Sequence, residues 1–209
     1  HADRAGGERR GRLGHHGGEG GGVGVGLEGR GGTPLEDHQF LRQALAQVLR
    51  RLDAHPSDAF SLATGAHLHA NLGDPTAAQR LLERLVRLHP ERADGWFNLG
   101  YVCESLGLLA ASEVAFRRAI AIDPRLDRAW YGLSLSLIAQ QRLDEALQAL
   151  RKNTELQPMS PYGWYQMARV QVDRQAPDEA EKIIHHLRGF EPRVAAQLER
   201  ETGLGTARA

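Results

Sequence analysis

The sequence predicts an all-α fold, a linear array of helical hairpins packed side by side. Three observations lead there. Trp96, Trp130 and Trp164, the chain's three tryptophans, stand 34 residues apart. Pro56, Pro90, Pro124, Pro158 and Pro192, five of nine prolines, fall on a second grid of the same period. A fixed period of this size marks a repeat architecture. From Leu35 onward Leu and Ala recur at spacings of three and four, as on amphipathic helices, and no alternating Val, Ile or Thr run suggests a strand.

Residues 1–34 hold 14 of the 24 glycines and few large apolar side chains. Such a segment buries too little surface to offset its ordering entropy and is expected to be disordered. Its one GxGxxG match, Gly24 to Gly29, lacks the strand before and the helix after that nucleotide binding requires, so it reads as low complexity. His15-His16 is too small a set for a metal site.

Residues 35–56 read as a lone second-type helix, with Ala44 and Val48 in phase and Pro56 closing it. Gly26, Gly29, Gly31, Gly32 and Pro34 oppose a first helix before it. Four repeats follow, at 59–92, 93–126, 127–160 and 161–192. Asp74-Pro75 and Ser160-Pro161 each offer an N-cap followed by proline at the first helical position. Gly73 and Gly107 stand where a first helix must end. In residues 193–209, Val194, Ala195 and Leu198 predict a short capping helix over the last repeat, and the polar ending from Gly203 is expected to be a natural C-terminus.

Aligned on this period, position 4 is Leu62, Trp96, Trp130 and Trp164, and position 8 is Ala66, Gly100, Ser134 and Ala168. Position 20 is Ala78, Ser112, Ala146 and Ala180, and position 24 is Leu82, Phe116, Leu150 and Ile184. Small residues at positions 8 and 20 let two helices approach closely, and the bulky residues fill the space between them and the next repeat. These residues resemble the tetratricopeptide repeat (TPR), a helix–turn–helix unit of about 34 residues. Only Trp96 to Gly100 carries the family's full Trp-x-x-Leu-Gly. Position 11 (His69, Cys103, Leu137, Gln171) and position 27 (Leu85, Ala119, Asn153, Leu187) depart from the pattern.

The resemblance implies a right-handed superhelical solenoid whose concave wall is built from each repeat's first helix. Positions 2, 5, 9 and 12 share one face of such a helix by spacing. They carry Phe60, Ala63, His67 and Ala70, then Asp94, Phe97, Tyr101 and Glu104. Arg128, Tyr131, Leu135 and Ile138 follow, and then Tyr162, Tyr165, Arg169 and Val172. All four tyrosines of the chain are among them. Aromatic side chains with interspersed charge suit an extended or helical peptide. The expected partner is therefore another protein, held by Phe60, His67, Asp94, Phe97, Asn98, Tyr101, Glu104, Arg128, Tyr131, Leu135, Tyr162, Tyr165 and Arg169. The family's clamp for a chaperone's C-terminal carboxylates is mostly missing: Asn98 and Arg128 match it, whereas Ala63, His67 and Gly132 do not.

Composition bounds the alternatives. With 26 basic and 26 acidic residues the formal charge is zero, so neither nucleic acid nor an anionic membrane surface is expected as a partner. Arginine outnumbers lysine, present only as Lys152 and Lys182, and with the Gly, Ala and Leu bias this fits a GC-rich bacterial genome. No apolar run reaches the roughly 18–20 residues of a membrane span. A cytoplasmic location is slightly favoured, and a periplasmic one would follow from a leader ahead of His1.

The single Cys103 excludes an intramolecular disulfide and reads as a small buried hydrophobe. His67 and His69 point about 200° apart on a helix, and His185-His186 likewise cannot share a metal. Glu179 and Glu181 belong to a solvated face. With no nucleophile–base set, no enzyme, cofactor or metal is expected. A scaffold or adaptor is the reading. An assembly factor of a bacterial complex, in the manner of cytochrome c maturation, pilus or envelope biogenesis, and a regulatory region of a larger enzyme are the alternatives.

Overall fold

The structure is a computed structural model that describes residues 34–205. The glycine-rich segment before Pro34, with its GxGxxG match and His15-His16, and residues 206–209 lie outside the described residues. Within them the chain is all-helical: α1 (Pro34–Ala54), α2 (Ala59–Asn71), α3 (Pro75–Leu88), α4 (Ala93–Ser105), α5 (Leu109–Ile122), α6 (Asp127–Ala139), α7 (Leu143–Leu156), α8 (Pro161–Asp173), α9 (Pro177–Arg188) and α10 (Pro192–Thr202). Each helix packs mainly on its neighbours in the chain; α4 also meets α6, and α8 meets α10. The result is a solenoid whose core is a continuous seam between successive helices.

Local chemistry sets the helix ends. Asp58 and Asp74 cap α2 and α3, accepting from the amides of Ser61 at 3.3 Å and Ala77 at 2.9 Å. Ser160 departs from expectation. It occupies the N-cap of α8 with extended backbone, but its side chain makes no capping bond, and Pro161 alone opens the helix. Gly73 and Gly107 end the first helices of two hairpins at φ of 80° and 74°. The equivalent places after α6 and α8 are taken by Gln141 and Gln175, at φ of 61° and 59°.

Two boundaries differ from the sequence reading. Helix α1 begins at Pro34 and runs 21 residues, because proline is tolerated in a first turn and no glycine interrupts residues 34–54. Pro192 does not close a repeat. It is the first residue of α10, after α9 has stopped at Arg188.

The two grids of the sequence are one device. Trp96, Trp130 and Trp164 each donate from Nε1 to the carbonyl oxygen of Pro90, Pro124 and Pro158, all at 2.9 Å. The indole of each first helix thereby ties off the turn that leads into it, and the rings stay half-buried. Leu62 cannot donate, and at that junction Arg84 reaches back to the Pro56 carbonyl at 2.6 Å.

Close approach is set by small residues. Ala78, Ser112, Ala146 and Ala180 are fully buried, and the Ser112 hydroxyl meets that of Ser136 at 2.8 Å. A further small set escaped the sequence reading: Ser61, Gly95, Ala129 and Gly163, at position 3, are buried, Gly95 close against Leu85 of α3 and Gly163 against Asn153 of α7. A Cβ on Gly163 would lie 2.2 Å from Asn153 Oδ1. Asn153 itself is buried and donates to the Asp127 carbonyl at 3.0 Å, which explains why position 27 is polar there. Phe116 fills the middle of the solenoid, and a Cβ on Gly100 or Gly132 would come within 2.8 or 2.4 Å of its ring.

Candidate functional site

The candidate wall is formed by α2, α4, α6 and α8. None of the thirteen side chains picked from the sequence is fully buried. They fall into two groups. Phe60, Tyr101 and Tyr162 are exposed at 53%, 51% and 51%. Phe97, Tyr131 and Tyr165 are half-buried, because neighbouring helices supply them with partners.

Phe97 packs its ring 6.0 Å from that of Phe116, tilted to it, and Arg128 from the next first helix lies over the Phe97 ring, 4.9 Å from the centroid. This cation–π stack fixes Arg128 without a carboxylate. Tyr131 of α6 packs in one apolar cluster with Tyr165 of α8, and the Gln166 side chain and the Glu104 charge act on its phenol. Burial pushes its phenol above the ordinary value, against the Gln166 bond, so it remains a neutral hydrogen-bonding group.

Tyr165 and Arg169 are engaged from within the chain. The Tyr165 hydroxyl donates to Glu201 Oε2 of α10 at 2.6 Å, and Arg169 donates to the same hydroxyl at 3.3 Å. Arg169 and Glu201 lie 3.7 Å apart. Burial raises the Glu201 carboxyl, but the Tyr165 and Gln197 donors and the Arg169 charge outweigh it and hold it below the usual glutamate value. Helix α10 thus extends the wall beyond α8, and Glu201 and Gln166 are wall residues the sequence reading did not select. The sequence signal for Glu201 was Pro192, which serves as a helix start.

The remaining candidates are positioned as follows. Asp94 is exposed and paired with Arg92 at 2.6 Å. Burial raises its carboxyl, and the Arg92 bonds more than reverse this, so it stays ionised. His67 is exposed and takes a 2.9 Å bond with the Asn71 amide nitrogen. Asn98, Glu104 and Leu135 are half-buried. Elsewhere, Cys103 is buried, and burial pushes its thiol up, as for a packing residue. Among the described residues no three His, Cys, Asp or Glu side chains group as metal ligands would, and no helix is long and apolar enough to cross a membrane.

A sequence model of the tetratricopeptide repeat matches residues 63–127 and 115–161. Solved structures share the architecture at low identity. The crystal structure of MamA is 21% identical with a TM-score of 0.69, covering 80% of this chain and 94% of that one. YrrB, described as a TPR protein with an unusual peptide-binding site, is 20% identical with a TM-score of 0.69, over 79% of this chain and 87% of its own. The first TPR of Spaghetti (RPAP3), bound to the HSP90 peptide SRMEEVD, is 17% identical with a TM-score of 0.55, over 56% of this chain and 93% of that one. No curated protein sequence matches the chain.

Proposed function

The chain is a tetratricopeptide-repeat protein, and from that premise we propose that it is a scaffold holding a segment of another protein against the wall of α2, α4, α6 and α8. The observation that carries this reading is the exposure of Phe60, Tyr101 and Tyr162 on one wall, beside Phe97, Tyr131 and Arg128 held in place by their neighbours. Single exposed apolar residues need no explanation, but aromatic side chains gathered on one face mark a binding surface. Their partners orient them in advance, which lowers the ordering cost of binding.

The chemistry of the wall favours an apolar or aromatic segment over a carboxylate tail. Position 132 would need a side chain to clamp such a tail, and Phe116 fills the space that any Cβ there would occupy. Asp94 and Arg169 are already neutralised by Arg92 and Glu201.

The test begins with selection of peptides from a displayed library against the wild-type chain, followed by fluorescence polarisation. Tyr101→Ala with Tyr162→Ala should weaken the selected peptide by about tenfold or more, with melting temperature unchanged, since both side chains are exposed. Equal affinity in the double variant would remove the wall from the reading.

A further inference from the structure

At its last repeat the wall meets a side chain that comes from outside the repeats. Position 9 carries His67, Tyr101 and Leu135 in the earlier first helices, and Arg169 in α8. Tyr165, one turn before it, and Arg169 converge on a single oxygen of α10. The Tyr165 hydroxyl donates to Glu201 Oε2 at 2.6 Å, and Arg169 stands 3.7 Å from the same atom. The other oxygen, Oε1, accepts from Gln197 at 2.8 Å. Beyond this pair, Asp173 acts on Arg169 and Arg200 acts on Glu201, one charge of each sign, so the balance rests with the pair itself. Arg128 lies over Phe97, between α4 and α6, and is no part of this end of the wall.

Two features leave this contact open to exchange. Arg169 gives one N–H to the Tyr165 hydroxyl at 3.3 Å, and its approach to Glu201 is an ion pair without a hydrogen bond. Its guanidinium therefore has donors left for a better-placed acceptor. The Arg169 and Glu201 side chains also keep 42% and 36% of their surface in solvent. Helix α10, meanwhile, is anchored elsewhere. Ala195 and Leu198 are buried, and Glu199 pairs with Arg188 of α9. None of these contacts uses the Glu201 carboxylate, so Glu201 can swing to another rotamer while α10 stays docked.

We propose that Tyr165 and Arg169 form a carboxylate seat in the wall, which Glu201 fills in the free chain, making Glu201 the residue that turns acidic segments away from this end. This rests on the wall's being a binding surface, and adds what that surface refuses. An incoming aspartate or glutamate has two courses. It displaces Glu201 and only replaces contacts already made, or it lies beside Glu201 and meets a like charge. A neutral side chain passes over the satisfied pair at neither cost. Helix α10 thus sets the specificity of the wall as well as closing the end of the solenoid.

Parallel selections from one displayed peptide library, on the full wild-type chain and on Glu201→Ala, test this. Peptides selected on the variant should be richer in aspartate and glutamate. In fluorescence polarisation these acidic peptides should bind Glu201→Ala about tenfold or more tightly than wild type. Glu201→Gln keeps an acceptor for Tyr165 but loses the charge, so its affinity should fall between the two. It also carries the test if Glu201→Ala loosens α10. Arg169→Gln added to either variant should take the gain away, whereas peptides selected on wild type should bind all these chains alike. Equal acidic content in the two selections, or a gain that survives Arg169→Gln, would overturn the proposal. The wall itself is judged separately. Acidic peptides that keep their gain when Tyr101→Ala and Tyr162→Ala are added would uphold the seat and remove the aromatic wall.

Discussion

Gln141 and Gln175 hold the left-handed backbone that glycine holds at Gly73 and Gly107, with φ of 61° and 59°. A side chain in that region crowds the following carbonyl, and glycine does not, though glycine loses more freedom on folding. Gln141→Gly and Gln175→Gly should each raise the unfolding free energy by roughly 0.5–1 kcal/mol, read from urea midpoints. These two turns could not be read from residue type, because glutamine is an ordinary helix former. The wall shows the same limit. Helical spacing told which side chains share a face, and all four tyrosines lie on it. It could not separate exposed Tyr101 from half-buried Phe97, because Phe116 and Arg128, which cover Phe97, come from other helices.

At the scale of the helix, the junctions carry the specificity. An indole held to a proline carbonyl at 2.9 Å fixes where each first helix begins relative to the turn before it. Trp130→Phe keeps most of the ring but takes the donor from the exposed Pro124 carbonyl, which water can then reach, and should cost about 0.5–1.5 kcal/mol in thermal unfolding. Both grids were visible in the sequence. The bond between them was not, since residue types do not say where a backbone carbonyl points. Pro192 shows how a grid can mislead: proline stands equally well after one helix or at the start of the next, and here α9 ends early enough for the second role.

At the scale of the molecule, the period hides real differences between junctions. The all-α class and the repeat were legible because packing of small on large side chains recurs at every turn of the solenoid. The charged ties between second helices were not, because each depends on residues contributed by neighbouring repeats, as where Arg117 and Glu113 of α5 meet Glu145 and Arg142 at α7. The junction ties differ too, and this bears on the order in which the solenoid assembles. Each tryptophan reaches a carbonyl six residues back, so three junctions can lock before distant chain has been gathered. The tie on Pro56 comes from Arg84, 28 residues away, and must wait until the whole first hairpin has closed. Arg84→Ala should therefore speed unfolding and leave the folding rate nearly unchanged in stopped-flow kinetics. Folding would then start among the tryptophan-bearing repeats, and α1 would dock last.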